Sequence, residues 1–222
     1  AGGAVVAWGL RVLRKRQARA DLLWPGLGFA GGALVLVVLV GLSRQQTKIW
    51  RNTESLFRRA LAVTENNLLA YGNLGVFYGR QGQWESAIHH LECVLQQRPL
   101  DGGARYALGN VYLAQGLPAA AVEQYRLAAR DSRQWRAMND LAWLLSTGPD
   151  AATQATEALQ WAERAWPLAP AEEQADLFDT LAVARANAGD FAGAIQAASQ
   201  ALAEGRARGR TETWRVEVQK RL

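Results

Sequence analysis

From Tyr71 onward the sequence repeats itself at an interval of thirty-four residues. Tyr71, Leu74, Gly75, Tyr78, Gly82, Ala87, Leu91, Val94 and Pro99 mark one unit, and Leu108, Gly109, Tyr112, Gly116, Ala121, Tyr125 and Ala128 mark the next. A period of that length belongs to a small supersecondary unit that cannot bury its apolar face alone and must stack on its neighbours. Inside each unit Ala, Leu and aromatic residues recur at three- and four-residue spacing, without the alternation of strands, so the unit is a pair of amphipathic helices. Leu74 and Tyr78 lie one turn apart on the first helix and face its partner. Gly75 and Ala87 are small where the two helices cross. Gly82 closes the first helix in a turn that needs left-handed dihedrals, and Pro99 ends the second.

Two further units follow less regularly. In the third, Leu141 and Ala142 hold the marked positions, and STGPDAATQ is expected to lengthen the turn by about four residues before Ala158, Ala162, Ala165 and Pro170 resume the second helix. In the fourth, Phe178, Leu181, Ala182, Gly189, Ala194 and Ala201 keep the pattern, with Arg185 where an aromatic residue is expected. Phe57, Ala60 and Leu61 share the phase upstream, which makes residues 44–67 a junction and half-repeat ahead of an array over 68–202. Trp214, Val218 and Leu222 form one stripe of a last helix over 203–222 that would cover the end of the stack. The expected fold is therefore all-α: an α-solenoid of about four helical hairpins with a C-terminal capping helix.

Ahead of the repeats, Leu22 to Leu42 reads LLWPGLGFAGGALVLVVLVGL without a charge. Crossing hydrocarbon takes about 20 such residues, so 22–43 is read as a transmembrane helix. Pro25 falls in its first turn and Trp24 at headgroup depth. A cleavable signal peptide would have a shorter apolar core and a small-residue cleavage site. Gly31 and Gly32 offer a smooth patch to another helix, or are simply tolerated in lipid. Residues 1–21 then hold the end of a preceding span and a basic loop. Arg11, Arg14, Lys15, Arg16 and Arg19 of that loop favour the cytoplasmic side, which sends the repeats across the membrane.

The formal charge of +5 is concentrated in that loop, leaving the repeats close to neutral. A phosphate-binding groove needs a basic stripe, so nucleic acid is not an expected partner. With one cysteine, Cys93, neither an internal disulfide nor a multi-cysteine metal site is possible. His89 and His90 are adjacent and point about 100 degrees apart on a helix, unlike an i, i+4 pair of ligands. Neither a phosphate loop, HExxH, a serine nucleophile motif nor an acid–base pair stands out. No catalytic residue, metal or cofactor is expected of this chain.

The marked spacing resembles the tetratricopeptide-repeat family. The order of parts narrows the resemblance: an apolar span, then KIWRNTESLFRRAL, an Asn-Leu-Gly repeat, NDLAWLLSTGPDA and DTLAVARANAGDFAGAIQAASQAL. This is similar to the C-terminal portion of bacterial membrane glycosyltransferase-like proteins with tetratricopeptide tails. The layout also resembles the transmembrane and tetratricopeptide-repeat O-mannosyltransferases. In such enzymes the resemblance places the chemistry, transfer from a lipid-linked sugar, in an early loop that this chain does not contain.

The resemblance implies a concave groove lined by the first helix of each unit, with Asn73, Val76 and Arg80, then Tyr106 and Asn110, then Asn139 and Trp143 as candidate ligand-binding residues. Asparagine amides both donate and accept, so a row of them can hold a peptide backbone without reading its sequence. Asn73 stands either in such a ladder or in an ordinary Asn-Leu-Gly helix pattern, and Ala107 does not continue the ladder. Two functions follow as expectations. One is a membrane-anchored interaction module or scaffold holding a protein or peptide segment, at a bacterial inner membrane with its repeats extracytoplasmic. The other is the substrate-recognition tail of a membrane O-glycosyltransferase.

Overall fold

A computed structural model describes residues 36–40, 53–131, 133–209, 216 and 218. The chain divides into two compact units, Ala1–Leu56 and Phe57–Leu222. In the first, residues 36–40 are helical. The rest of the expected span over 22–43 lies outside the described residues, as do residues 1–21. Among the described residues no helix is long and apolar enough to cross a membrane.

The second unit is a run of antiparallel helical hairpins. Helix α1 (Thr53–Val63) begins ahead of the unit boundary and is followed by α2 (Leu68–Arg80), α3 (Trp84–Gln97), α4 (Gly102–Ala114), α5 (Pro118–Ala128), α6 (Trp135–Thr147), α7 (Ala151–Ala165), α8 (Gln174–Asn187) and α9 (Phe191–Ala207). Two short 3-10 turns, Trp166–Leu168 and Ala171–Glu173, separate α7 from α8. The starts are chemically marked. Asn67, Asp101 and Asp190 accept hydrogen bonds from the backbone N–H of Ala70, Ala104 and Gly193 at 3.0, 2.9 and 2.9 Å. Each satisfies a donor that a helix N-terminus otherwise leaves open.

The small residues sit where the hairpins cross. A Cβ at Gly75 would lie 2.6 Å from Leu91 Cγ, and one at Gly109 would enter the Tyr125 ring. Ala87 and Ala121, at the same register in α3 and α5, are fully buried. The turn glycines Gly82, Gly116 and Gly189 have φ of 72, 77 and 84°. A Cβ there would press on the following carbonyl, so these three turns repeat because glycine repeats.

The third hairpin corrects one expectation. Its turn does not lengthen: Gly148, Pro149 and Asp150 alone separate α6 from α7, as three residues do in the other hairpins. STGPDAATQ divides between the end of α6, the turn and the first turn of α7. The four extra residues are about one helical turn, so Ala158, Ala162 and Ala165 keep the buried face while the helix starts earlier. Gly148 is extended here, with φ −74 and ψ 173°, because proline follows and disfavours the helical region for the residue before it.

Two other boundaries shift. Helix α9 runs through Ala207, past the expected edge at 202, because Ala201 and Gly205 continue its buried face. Of the expected capping stripe only Val218 is described. It is helical and 1% exposed, packed with α8 and α9, while Trp214 and Leu222 lie outside the described residues. Arg185 is no packing fault: its guanidinium donates to the Gly193 carbonyl at 3.3 Å and lies 3.8 Å from Glu163. A long side chain whose stem packs and whose head bonds backbone can stand where an aromatic ring would.

The core forms two clusters that meet in the second hairpin. Leu74, Tyr78, Ala87, Leu91, Val94, Leu108 and Val111 join the first two hairpins, with Phe57 and Leu61 of α1 packed against them. Tyr125, Met138, Leu141, Leu145, Leu177, Phe178, Leu181 and a series of alanines build the rest. Each hairpin thus buries its apolar face against the one before and the one after, as the repeat period requires.

Candidate functional site: a groove across the first helices

The first helix of each hairpin turns one face toward its counterpart in the next unit, and a cleft opens between α2 and α4. It holds about 400 Å³ and is lined by Val76, Gly79, Arg80, Gly103, Tyr106, Ala107, Asn110, Val111 and Ala114. Glycine and alanine on the facing helices leave the space that larger residues would fill. A second cleft of about 310 Å³ adjoins it, sharing Val76, Gly103 and Ala107 and continuing past Asn73 to Leu68 and Leu69.

Four of the seven candidate residues, Val76, Arg80, Tyr106 and Asn110, therefore line one cleft, and Asn73 lines its extension. The Asn73 amide donates to the Leu69 carbonyl at 2.7 Å, which ties it to its own helix. Asn139 and Trp143 line neither cleft. Trp143 is half-buried on α6, one turn beyond Asn139.

Asn139 reaches the cleft through a neighbour that the sequence reading passed over. The Tyr106 hydroxyl donates to Asp140 Oδ2 at 2.9 Å, and Asn139 Nδ2 donates to the other carboxylate oxygen at 3.3 Å. On the near side the Tyr125 hydroxyl donates to Asn110 Oδ1 at 2.6 Å, while the Asn110 amide also faces the Tyr106 hydroxyl. Two tyrosines, two asparagines and one aspartate so form a continuous polar chain from the second hairpin to the third. Such a chain fixes the wall of the groove, since buried polar groups are costly unless partnered.

The electrostatics follow from burial. Desolvation, with Asp140 alongside, pushes the Tyr106 hydroxyl up to about 12, and desolvation raises Tyr125 as well. The Asp140 carboxyl is raised because burial outweighs the hydrogen bonds from Tyr106 and Asn139 and the nearby Arg136. Asn139 Oδ1 is buried and has no hydrogen-bond partner among the described residues.

Asp140 was within reach of the repeat register. It stands immediately before the marked Leu141, the place that Asn73 holds before Leu74. Tyr125 marks the repeat register and its ring is fully buried, but its hydroxyl reaches the groove wall. Among the described residues no group of three or more His, Cys, Asp or Glu side chains could hold a metal ion.

Comparison with known proteins agrees with this geometry. Residues 73–134 match the family described as tetratricopeptide repeat. Over 108 residues, 49% of this chain, the sequence is 27% identical to the protein O-mannosyl-transferase Tmtc3 of Drosophila melanogaster. The matched stretch spans 11% of that much longer relative. Among solved structures, MamA superposes with a TM-score of 0.57 at 17% identity, over 76% of this chain and 96% of its own. YrrB, a tetratricopeptide-repeat protein with an unusual peptide-binding site, gives 0.56 at 18% identity, over 81% of this chain and 88% of its own. Both likenesses are of fold. The hairpins that stack from α2 to α9 have the fold of a tetratricopeptide-repeat solenoid, and residues 73–134 carry the sequence match to that family.

Proposed function

We propose that the chain is a protein-interaction module that lays a peptide segment of a partner into the groove between α2 and α4. The observation that carries this reading is the cleft itself, an apolar floor of small residues beside a polar wall held by Tyr106, Asn110 and Asp140. A concave site with few convergent polar groups is the usual form of a binding pocket. YrrB, a neighbour in fold, is described by its peptide-binding site, which favours the same use here.

We place the array beside a membrane, held by the apolar run Leu22–Leu42, with the basic residues at 11–19 on the cytoplasmic side and the repeats outside it. The similarity to Tmtc3 favours a second reading, in which the array is the substrate-recognition tail of a membrane O-glycosyltransferase that uses a lipid-linked sugar. In both readings the groove selects a polypeptide, and in the second that polypeptide is the acceptor.

A photoreactive amino acid placed at Val76 tests the groove in cells. Discrete crosslinked partners are expected there and not with the same group at exposed Glu92 on α3. Identical crosslinks from both positions would remove the groove from the account.

A further inference from the structure

We infer that the cleft between α2 and α4 is a selective pocket for a protein segment that presents a large apolar side chain with a carboxylate within two residues of it. The inference rests on the peptide-groove reading and gives that groove a ligand chemistry.

Three observations lead to it. The floor is apolar and deliberately small: Gly79, Gly103, Ala107 and Ala114 face Val76 and Val111 across about 400 Å³, room for one bulky side chain. Val76 is 38% exposed, so the chain itself leaves this apolar surface uncovered. The polar wall is closed on itself, because the Tyr106 hydroxyl is spent on Asp140 and Asn110 Oδ1 on Tyr125. What remains for a ligand is Arg80, the one charged residue lining the cleft.

Arg80 has no ion-pair or hydrogen-bond partner for its guanidinium among the described residues. Some other arginines of the array are engaged: Arg126 with Glu157, Arg136 with Glu173, and Arg105 with Gln124 and the Pro99 carbonyl. Its place in the last turn of α2 suits the helix dipole, but that interaction leaves the planar donor fork unfilled. An arginine at the rim of an apolar cleft complements a carboxylate, and the charge-assisted pair forms with better geometry than a lysine would allow. A basic segment would meet Arg80 with repulsion, and an apolar one without a carboxylate would leave the guanidinium unused.

Selection from a phage-displayed random peptide library on the full 222-residue chain in detergent tests this. The enriched sequences are expected to share an aromatic or large aliphatic residue with Asp or Glu within two positions. A synthetic peptide carrying that consensus should bind about fivefold more weakly to Arg80→Ala, with the difference shrinking as salt is raised. Arg80→Glu should turn the acidic preference into a basic one in a repeat selection. Ala107→Leu, which fills the floor, should remove the preference for a bulky side chain.

Arg80 is exposed, so its variants keep the fold, and circular dichroism checks this. Enriched peptides without an acidic residue, or an acidic preference untouched by Arg80→Glu, would overturn the inference while leaving the groove a peptide site. A selection that returns no sequence above a Val76→Trp control would overturn both.

Discussion

The Tyr106 hydroxyl donates to the Asp140 carboxylate at 2.9 Å, joining the first helix of one repeat to the first helix of the next. Tyr106 packs against the second core cluster, and the bond holds the groove wall in register. Tyr106→Phe removes the donor and leaves a partly buried carboxylate with one partner fewer. The expected cost is about 1 kcal/mol in chemical denaturation, the usual worth of such a bond.

Because burial raises the Asp140 carboxyl, the folded state binds its proton more readily than the unfolded chain. A raised carboxyl contributes stability that is fully present below the ordinary aspartate value, about 3.9, and is lost as pH rises through the higher folded value. Asp140→Asn keeps an acceptor for Tyr106 and carries no charge. Its stability relative to the parent should therefore be highest at neutral pH and decline on acidification, read as the difference in denaturation midpoint between pH 7 and pH 4.

His90 has the opposite sign. Its ring stacks on Tyr78 at 5.4 Å and its Nδ1 is buried without a hydrogen-bond partner among the described residues. Burial, then His89 and Arg58, hold its pKa below 6.5. The neutral ring favours the fold above 6.5, and that contribution is lost as pH falls through the depressed folded value. His90→Phe should flatten the stability profile below 6.5, and an unchanged profile would contradict this placement.

Two glycines in equivalent helices should respond in opposite directions. At Gly72 an added Cβ meets nothing within 4 Å, so Gly72→Ala should stabilise by about 0.5–1 kcal/mol through lower unfolded-state entropy. At Gly109 the Cβ meets the Tyr125 ring, whose hydroxyl is held by Asn110 and cannot swing away freely. Gly109→Ala should cost about 1–3 kcal/mol, as overpacking does. Paired thermal unfolding curves would show the two shifts.

The link between α5 and α7 is a fifth case. Arg126 grips Glu157 with two bonds, at 2.9 and 3.2 Å, and the hydrogen bond from Arg126 lowers the Glu157 carboxyl. Both side chains are about a third exposed, so solvent screens the pair, and Arg126→Met should cost at most about 1 kcal/mol. The loss should be present above the ordinary glutamate value and vanish as pH falls through the lowered folded one. Raising salt should also shrink it.

The hairpins were legible because their steric demands fall on single residue types. Glycine at 75, 82, 109 and 116 and alanine at 87 and 121 announce crossings and left-handed turns that other residues disfavour. The third hairpin was less legible because four inserted residues can enter a loop or add a helical turn, and the sequence around Pro149 permits either. Burial decided it, since only the added turn keeps Ala158, Ala162 and Ala165 inside. Val76, Arg80, Tyr106 and Asn110, which the family resemblance and its spacing set on one face, do line one cleft. Asp140 was missed because an acidic residue at a register position looks like any solvated charge until its tyrosine partner, thirty-four residues upstream, is seen beside it.

The central claim is that ligand enters between α2 and α4. It is tested most directly by the affinity of a selected peptide for Val76→Trp, which fills the cleft, alongside the unfolding temperature of the same variant. Binding should fall at least about tenfold, or 1.4 kcal/mol, with the unfolding temperature unchanged. A Val76→Trp protein that binds as tightly as its parent would contradict the account.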